Sequence, residues 1–331
     1  MKSVRPLDRF PLVNTCNLDE ARAAVARIYA APKFEVMGRE RSLHAIINLC
    51  QLRNLRVSYG SYSASLHMQF PETSFATQMF LLGGKSEAVL AGRSETVTSD
   101  RSLVISPNET LSVNHDSDYE RLVLSVNSTS LANTLSVMTG ESCAAPVKFE
   151  PVQDYSLPAA DALRRHLLFF VERINAFQGN LPDFVIAELE QTLLVMFLLA
   201  NRHNYFHKLE RASLNAAAAQ VRRTEEYIEA NWQLAITLEN LAEVSGVSAL
   251  SLLRSFQKSR GYSPMQFVNK VRLNHARELL RCPNAGTTVA AVASTCGFAD
   301  YGRFANEYVR AFGEHPSRTL DRSHGAARYR H

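Results

Sequence analysis

The chain has few of the residues that announce a secreted, membrane-bound or catalytic protein. Its five cysteines, Cys16, Cys50, Cys143, Cys282 and Cys296, are scattered and odd in number, without metal-type spacing. They outline neither a disulfide framework nor a zinc site, and they predict unpaired thiols in a reducing cytoplasm. The most apolar stretch, Leu193 to Ala200, is far short of the roughly 20 residues a membrane span requires. Met1 to Arg9 is polar and broken by Pro6, which does not fit a signal peptide. There is no phosphate-cradling glycine loop, no nucleophile elbow and no His-x-His pair; His44, His67 and His115 stand alone. No catalytic residue, metal or cofactor is therefore expected.

Neither sign of charge dominates, since 36 Lys+Arg face 32 Asp+Glu. The balance becomes informative only when the chain is divided. From residue 216 onward, 15 basic residues face 10 acidic ones, an excess of five, whereas the rest holds 21 against 22. A modest basic excess in the last third fits a nucleic-acid partner, although ordinary solvated surface has the same look.

That last third contains one short text twice. Leu241, Ala242, Gly246, Val247, Ser248, Leu252, Arg254, Phe256, Gly261 and Pro264 are echoed by Val292, Ala293, Gly297, Phe298, Ala299, Phe304, Tyr308, Gly313 and Pro316. Gly246 to Gly297 is 51 positions, whereas Phe256 to Tyr308, Gly261 to Gly313 and Pro264 to Pro316 are each 52, so one residue is inserted near the second turn. Each copy reads as a helix, a glycine turn and a second helix, the architecture of a DNA-reading unit. Ser248 and Asp300 stand at the N-cap positions. Leu252 and Phe256, and then Phe304, Tyr308 and Phe312, form the buried stripes. The opposite faces carry Leu250, Leu253, Arg254 and Gln257 in the first unit, and Tyr301, Gly302, Arg303, Asn306 and Arg310 in the second. Between the units, Pro264 to about Arg281 reads as an uninterrupted helix, a rod of roughly 27 Å. Such a rod can hold two reading helices in grooves about 34 Å apart.

The run Gly297-Phe298-Ala299-Asp300-Tyr301-Gly302-Arg303-Phe304, followed by Phe312-Gly313 and Pro316, closely resembles the signature of AraC/XylS transcription regulators. The resemblance covers roughly residues 218 to 322. It implies base contacts near the starts of both reading helices, at Leu250, Leu253 and Arg254 and at Tyr301, Gly302, Arg303 and Asn306. Arg254 and Arg303 lead as guanine readers or phosphate clamps. Leu250 departs from the family's usual polar residue and suits a thymine methyl.

From about Leu55 to Val126, short runs rich in Val, Leu, Phe, Ser and Thr are broken by turn signals. They predict strands at 55–59, 64–67, 75–82, 86–91, 95–98, 103–105 and 119–126, a small barrel or sandwich. The resemblance implies a cupin-like domain that binds an effector, with aromatic acids as the suggested class. A carboxylate effector needs a cation or donor inside an apolar pocket, and Arg41, His44, Arg56, His67 and Arg93 are the candidates. Helices are expected from Ser128 or Ser130 to Thr139, from Pro158 to Phe177 and from Pro182 to about Arg202. The broad apolar stripe of the last, with Leu189, Leu193, Met196 and Phe197, suits either its own barrel or a homodimer.

The expected fold is α+β in two domains: residues 1–205 a cupin-like effector-binding and dimerisation domain, 206–218 a linker, and 219–325 an all-α tandem helix-turn-helix domain. The expected function is cytoplasmic, sequence-specific transcriptional activation. Its expected partners are double-stranded promoter DNA, RNA polymerase, a small-molecule effector and a second copy of the chain. A ligand-independent regulator, or a cupin enzyme fused to a DNA-binding module, is the alternative.

Overall fold

The computed structural model describes residues 5–29, 32–37, 43–177, 181–284 and 286–328, and the chain divides into two units, Met1–Ala212 and Ser213–His331. The first unit runs β1 (Pro11–Thr15), α1 (Leu18–Tyr29), β2 (Lys33–Val36), β3 (Ala45–Gln51), β4 (Leu55–Tyr62), β5 (Leu66–Phe70), β6 (Phe75–Gly83), β7 (Ser86–Leu90), β8 (Arg93–Val97), β9 (Arg101–Ile105), β10 (Leu111–His115) and β11 (Tyr119–Asn127). It continues through α2 (Ser128–Thr139), β12 (Val152–Asp154), α3 (Pro158–Ala176) and α4 (Asp183–Ala200); the division between the units falls within α5 (Phe206–Asn231).

Two antiparallel sheets form the cupin-like barrel, one of seven strands in the order β1-β3-β4-β11-β6-β9-β12 and one of five in the order β2-β5-β10-β7-β8. Side chains alternate along each strand, so a strand covered on both faces feeds two separate cores. On β11, Tyr119 and Val123 join Tyr62, Met79, Phe34, Met68 and Val113 between the sheets, together with Ala24, Val25 and Ile28 of α1. Leu122, Leu124 and Val126 point the other way. They pack with Leu55, Val57, Tyr59 and Phe80 against Leu131 of α2, Leu167 and Phe170 of α3, and Leu193 and Phe197 of α4.

Strands β4 to β9 and β11 lie close to their predicted places. β1, β2, β3, β10, β12 and α1 went unmarked, although α1 carries a start signal: Oδ1 of Asn17 accepts the amides of Asp19 at 2.8 Å and Glu20 at 3.2 Å. The cap of α2 is Asn127 rather than Ser128 or Ser130, because its Oδ1 accepts from the amides of Thr129 and Ser130.

Of the four dimer contacts expected on α4, the structure corrects two, Leu193 and Phe197, and leaves Leu189 and Met196 half-buried. Leu193 and Phe197 are each 0% exposed within the unit's own core, and Leu189 and Met196 pack against that core. The stripe is broad because α4 meets a sheet and two helices. Glu190, also on this inner side, accepts the amides of Asn54 at 2.5 Å and Leu55 at 3.0 Å, tying α4 to the β3–β4 turn.

The second unit is helical, with α6 (Leu238–Ser245), α7 (Ala249–Arg260), α8 (Pro264–Arg281), α9 (Val289–Thr295), α10 (Tyr301–Phe312) and α11 (Pro316–Arg328) following the end of α5. It holds two cores. Leu241, Leu252, Phe256, Val268 and Val271 centre one, and Leu273, Ala276, Leu280, Val292, Phe304 and Tyr308 the other. The central helix α8 serves both, and Trp232 packs on each. Among the described residues no helix is long and apolar enough to cross a membrane.

Candidate nucleic-acid interface

Each reading helix starts on a side-chain cap and ends on a left-handed glycine. Ser248 accepts from the amide of Ser251 at the start of α7, and Asp300 from that of Arg303 at the start of α10. Gly261 (φ 78°) and Gly313 (φ 73°) close the two helices. A left-handed residue lets the last carbonyls find donors without a Cβ clash. Pro264 then opens α8 behind Ser263, which forms a reciprocal cap with Gln266.

With Leu252 and Phe256 buried, α7 turns Leu250 (58% exposed), Arg254 and Gln257 to solvent, while Leu253 is half-buried. In α10, Phe304 and Tyr308 are buried, and Tyr301, Gly302, Arg303, Asn306 and Arg310 are exposed. The Arg254 side chain has no ion pair among the described residues. Arg303 donates from Nε to Oε1 of Glu307 at 2.9 Å, a pairing that raises its pKa through hydrogen bonding and charge. One arginine is free to reach a base edge or phosphate, and the other is held along its helix by the following turn.

A residue absent from the sequence reading ties the second unit together. Arg272, on α8, donates to the carbonyls of Trp232 at 3.0 Å, Leu234 at 2.7 Å and Gly297 at 3.4 Å. It joins the end of α5, the central helix and the second glycine turn. His275, one turn further along α8, stacks on Trp232 with ring centroids 4.2 Å apart. Arg260 adds a two-pronged pair with Glu225, at 2.7 and 2.8 Å, holding the end of α7 to α5.

The two turn glycines differ in their surroundings. A Cβ on Gly246 (φ +70°) meets nothing within 4 Å, whereas one on Gly297 (φ +76°) falls 2.9 Å from Cζ of Arg272. Gly246→Ala is expected to cost only the left-handed backbone term, about 1–2 kcal/mol. Gly297→Ala adds displacement of a pinned guanidinium and is expected to cost roughly twice as much. Urea denaturation followed by fluorescence of Trp232 measures both; equal losses contradict the crowding at Gly297.

In the barrel, the five effector candidates do not gather. Arg41 lies outside the described residues. His44 is exposed and bonded to Asn14 at 2.7 Å. His67 alternates with the buried Leu66 and Met68 and so faces outward, beside Asn114 at 2.5 Å. Arg93 is exposed at the start of β8. Arg56 alone turns inward, half-buried, with its guanidinium 4.0 Å from the Phe75 ring centroid and its Nε without a partner. Burial lowers its pKa.

The inward cation that sequence reasoning missed is Arg121, only 4% exposed. It shares the inner face of β11 with Tyr119 and Val123. Its guanidinium lies 5.7 to 6.0 Å from the ring centroids of Phe70, Tyr119 and Tyr62, and NH1 donates to Sδ of Met79 at 3.3 Å. Burial works against its charge and the surrounding tyrosine hydroxyls favour it, leaving the pKa above the ordinary value.

Two family descriptions match the chain: "AraC-binding-like domain" over residues 21–199, more than half of it, and "Helix-turn-helix domain" over residues 241–322. A probable thc operon regulatory protein of Rhodococcus erythropolis is 31% identical over 206 residues, 60% of this chain and 60% of that protein. A XylDLEGF operon transcriptional activator of Pseudomonas putida is 38% identical over 99 residues, 30% of this chain and 31% of that one. These matches span less than two thirds of either relative. Among solved structures, a probable AraC family transcriptional regulator of Rhodopseudomonas palustris CGA009 is 50% identical, covering 32% of this chain and 97% of that one with a TM-score of 0.31.

Proposed function

The chain belongs to the AraC/XylS family of transcription regulators, and from that premise we propose that it is a sequence-specific DNA-binding activator controlled by a small molecule held in its barrel. The observation that carries this reading is the pair of capped reading helices. Each buries one apolar stripe and leaves an arginine, with polar neighbours, exposed on its opposite face. Leu250, Leu253, Arg254 and Gln257 contact one major groove and Tyr301, Gly302, Arg303, Asn306 and Arg310 the next, with α8 as the spacer. The family relatives named as operon activators support activation over repression. RNA polymerase is then the protein partner and the cytoplasm the compartment. A second copy of the chain would meet exposed apolar residues such as Phe184, 72% exposed, rather than Leu193 or Phe197. Effector binding acts by changing the relative stability of states that differ in their fitness for promoter DNA.

The test is binding to a promoter fragment that the protein itself protects in footprinting. Arg254→Ala and Arg303→Ala are each expected to weaken binding about 10- to 100-fold, the range of a bidentate base contact. If either arginine reads a base, its loss also relaxes discrimination at one position; if it clamps a phosphate, the salt slope falls by about one. Unchanged affinity in both variants, or an affinity indifferent to salt, contradicts the assignment of these helices.

A further inference from the structure

We propose that Arg121 is the anion anchor of a ligand site inside the barrel, and that the ligand is a small carboxylic acid with an apolar body. The inference rests on the sensing role proposed above and gives it a residue and a chemistry. Arg121 points between the two sheets, and among the described residues no Asp or Glu pairs with it. Its hydrogen-bonding neighbours are neutral: the thioether of Met79 and the hydroxyls of Tyr62 and Tyr119. A guanidinium carries five donors, and a thioether is a weak acceptor. Aromatic faces offset part of the cost of burying a cation. They do not provide the paired oxygens that its planar fork fits.

The surroundings supply the rest of a site. Arg121 opens onto a small, open-mouthed pocket with about 40 Å³ of space that water can occupy, whose apolar walls include Tyr29, Phe70, Met79, Ile105, Leu111 and Val123. Thr73 and Thr77 bring hydroxyls to the same space, and the Glu109 carboxylate there is engaged by the Ser106 amide at 3.2 Å. The β11–β6 register shifts between Glu120 and Arg121, the kind of local bulge that re-aims a side chain. Across β4 the residue opposite Arg121 is Gly60, which leaves room for the Tyr62 ring. The same inner face carries Arg56, whose buried Nε has no partner, so the interior holds two cations. One buried fork with mostly apolar walls selects a carboxylate on a hydrophobic body over a phosphate, whose additional charge and oxygens would face those walls.

The test uses the full chain with benzoate and hexanoate, and with benzyl alcohol and hexanol as neutral counterparts. An acid at tenfold its Kd is expected to raise the melting temperature of the wild type by about 3–6 °C, with no rise from the alcohols. Arg121→Met is expected to weaken acid binding at least about 100-fold, and Arg121→Lys, which keeps the charge without the fork, about 10-fold. Without ligand, Arg121→Met is expected to melt no lower than the wild type, because a buried cation that no carboxylate pairs is replaced by an apolar side chain of similar reach. If acids bind Arg121→Met as tightly as the wild type, or if only neutral compounds bind, the Arg121 site is wrong and the sensing role survives. If none of the four binds the wild type and Arg121→Met melts well below it, Arg121 is a structural cation and this proposal is overturned; the DNA-binding measurements remain separate.

Discussion

Arg272→Ala is expected to damage recognition of a two-groove operator far more than recognition of a single half-site. Its guanidinium holds the carbonyls of Trp232 and Leu234 with two good hydrogen bonds and reaches Gly297 with a longer one. Charge-assisted bonds contribute about 1.5–3 kcal/mol each when buried, and Arg272 is partly open to water, so the stability loss should be about 2–4 kcal/mol. The larger effect concerns spacing. α8 is common to both cores of the second unit, and Arg272 joins it to the glycine turn that launches α10. Two reading helices held at a fixed spacing bind as one preorganised surface, whereas helices free to drift must be ordered during binding. Affinity for the full site should fall about 10- to 100-fold, and that for an isolated half-site less than about threefold. Fluorescence anisotropy with both duplexes measures the ratio, and equal losses on the two would remove Arg272 from the spacing role. A coupled check follows from the crowding at Gly297. In an Arg272→Ala background, Gly297→Ala should cost no more than Gly246→Ala, since the obstructing Cζ has gone.

The second unit was legible because its signals are local. Ser248, Asp300, Gly261, Gly313 and Pro264 each satisfy or punctuate backbone within one turn, and the structure puts each of these features at its predicted position. Arg272 was not legible. Its partners are backbone carbonyls 40 and 38 residues earlier and 25 later, and a carbonyl leaves no trace in a sequence. Arg121 was hidden by alternation itself. Along β11 the set Leu122, Leu124 and Val126 is the more apolar, so a one-sided reading gives it the core and turns Arg121 outward. Helices α2 to α4 cover that apolar face, and the opposite face lines the barrel. The same geometry misdirected Leu193 and Phe197, whose stripe is broad because its own sheet and helices fill it. Arg56 was named among five candidates and does face inward, whereas His44, His67 and Arg93 are placed by strand ends and outer faces that no spacing rule separated in advance.

The barrel is expected to lose stability on mild acidification, with His115 as a principal cause. Its ring is 3% exposed, stacked on Tyr119 with centroids 4.0 Å apart and 5.4 Å from that of Tyr62. Nδ1 faces the carbonyl of Asp116 at 3.3 Å, and Nε2 has no partner. Protonation places a further cation near Arg121, and among the described residues no carboxylate pairs with either group. Burial first, and then the Arg121 charge, push its pKa from 6.5 down to about 3. Because the folded value is depressed, the unfolded chain binds the proton more readily. Stability is therefore intact above pH 6.5 and is lost as pH falls toward about 3. At up to 1.36 kcal/mol per pH unit, and with the unfolded ring only half protonated at pH 6.5, the fall between pH 6.5 and 4.5 is about 2 kcal/mol. His203, pushed down to about 4 by burial, acts in the same direction. His115→Phe keeps an aromatic ring against Tyr119 and removes the titration, so its urea stability should decline less steeply over this range, by close to one proton. The barrel transition should be followed by far-ultraviolet circular dichroism, since the single tryptophan, Trp232, reports on the other unit. Equal slopes for wild type and His115→Phe between pH 6.5 and 4.5 would show that His115 accepts its proton without opening the barrel, and that Arg121 is screened from it.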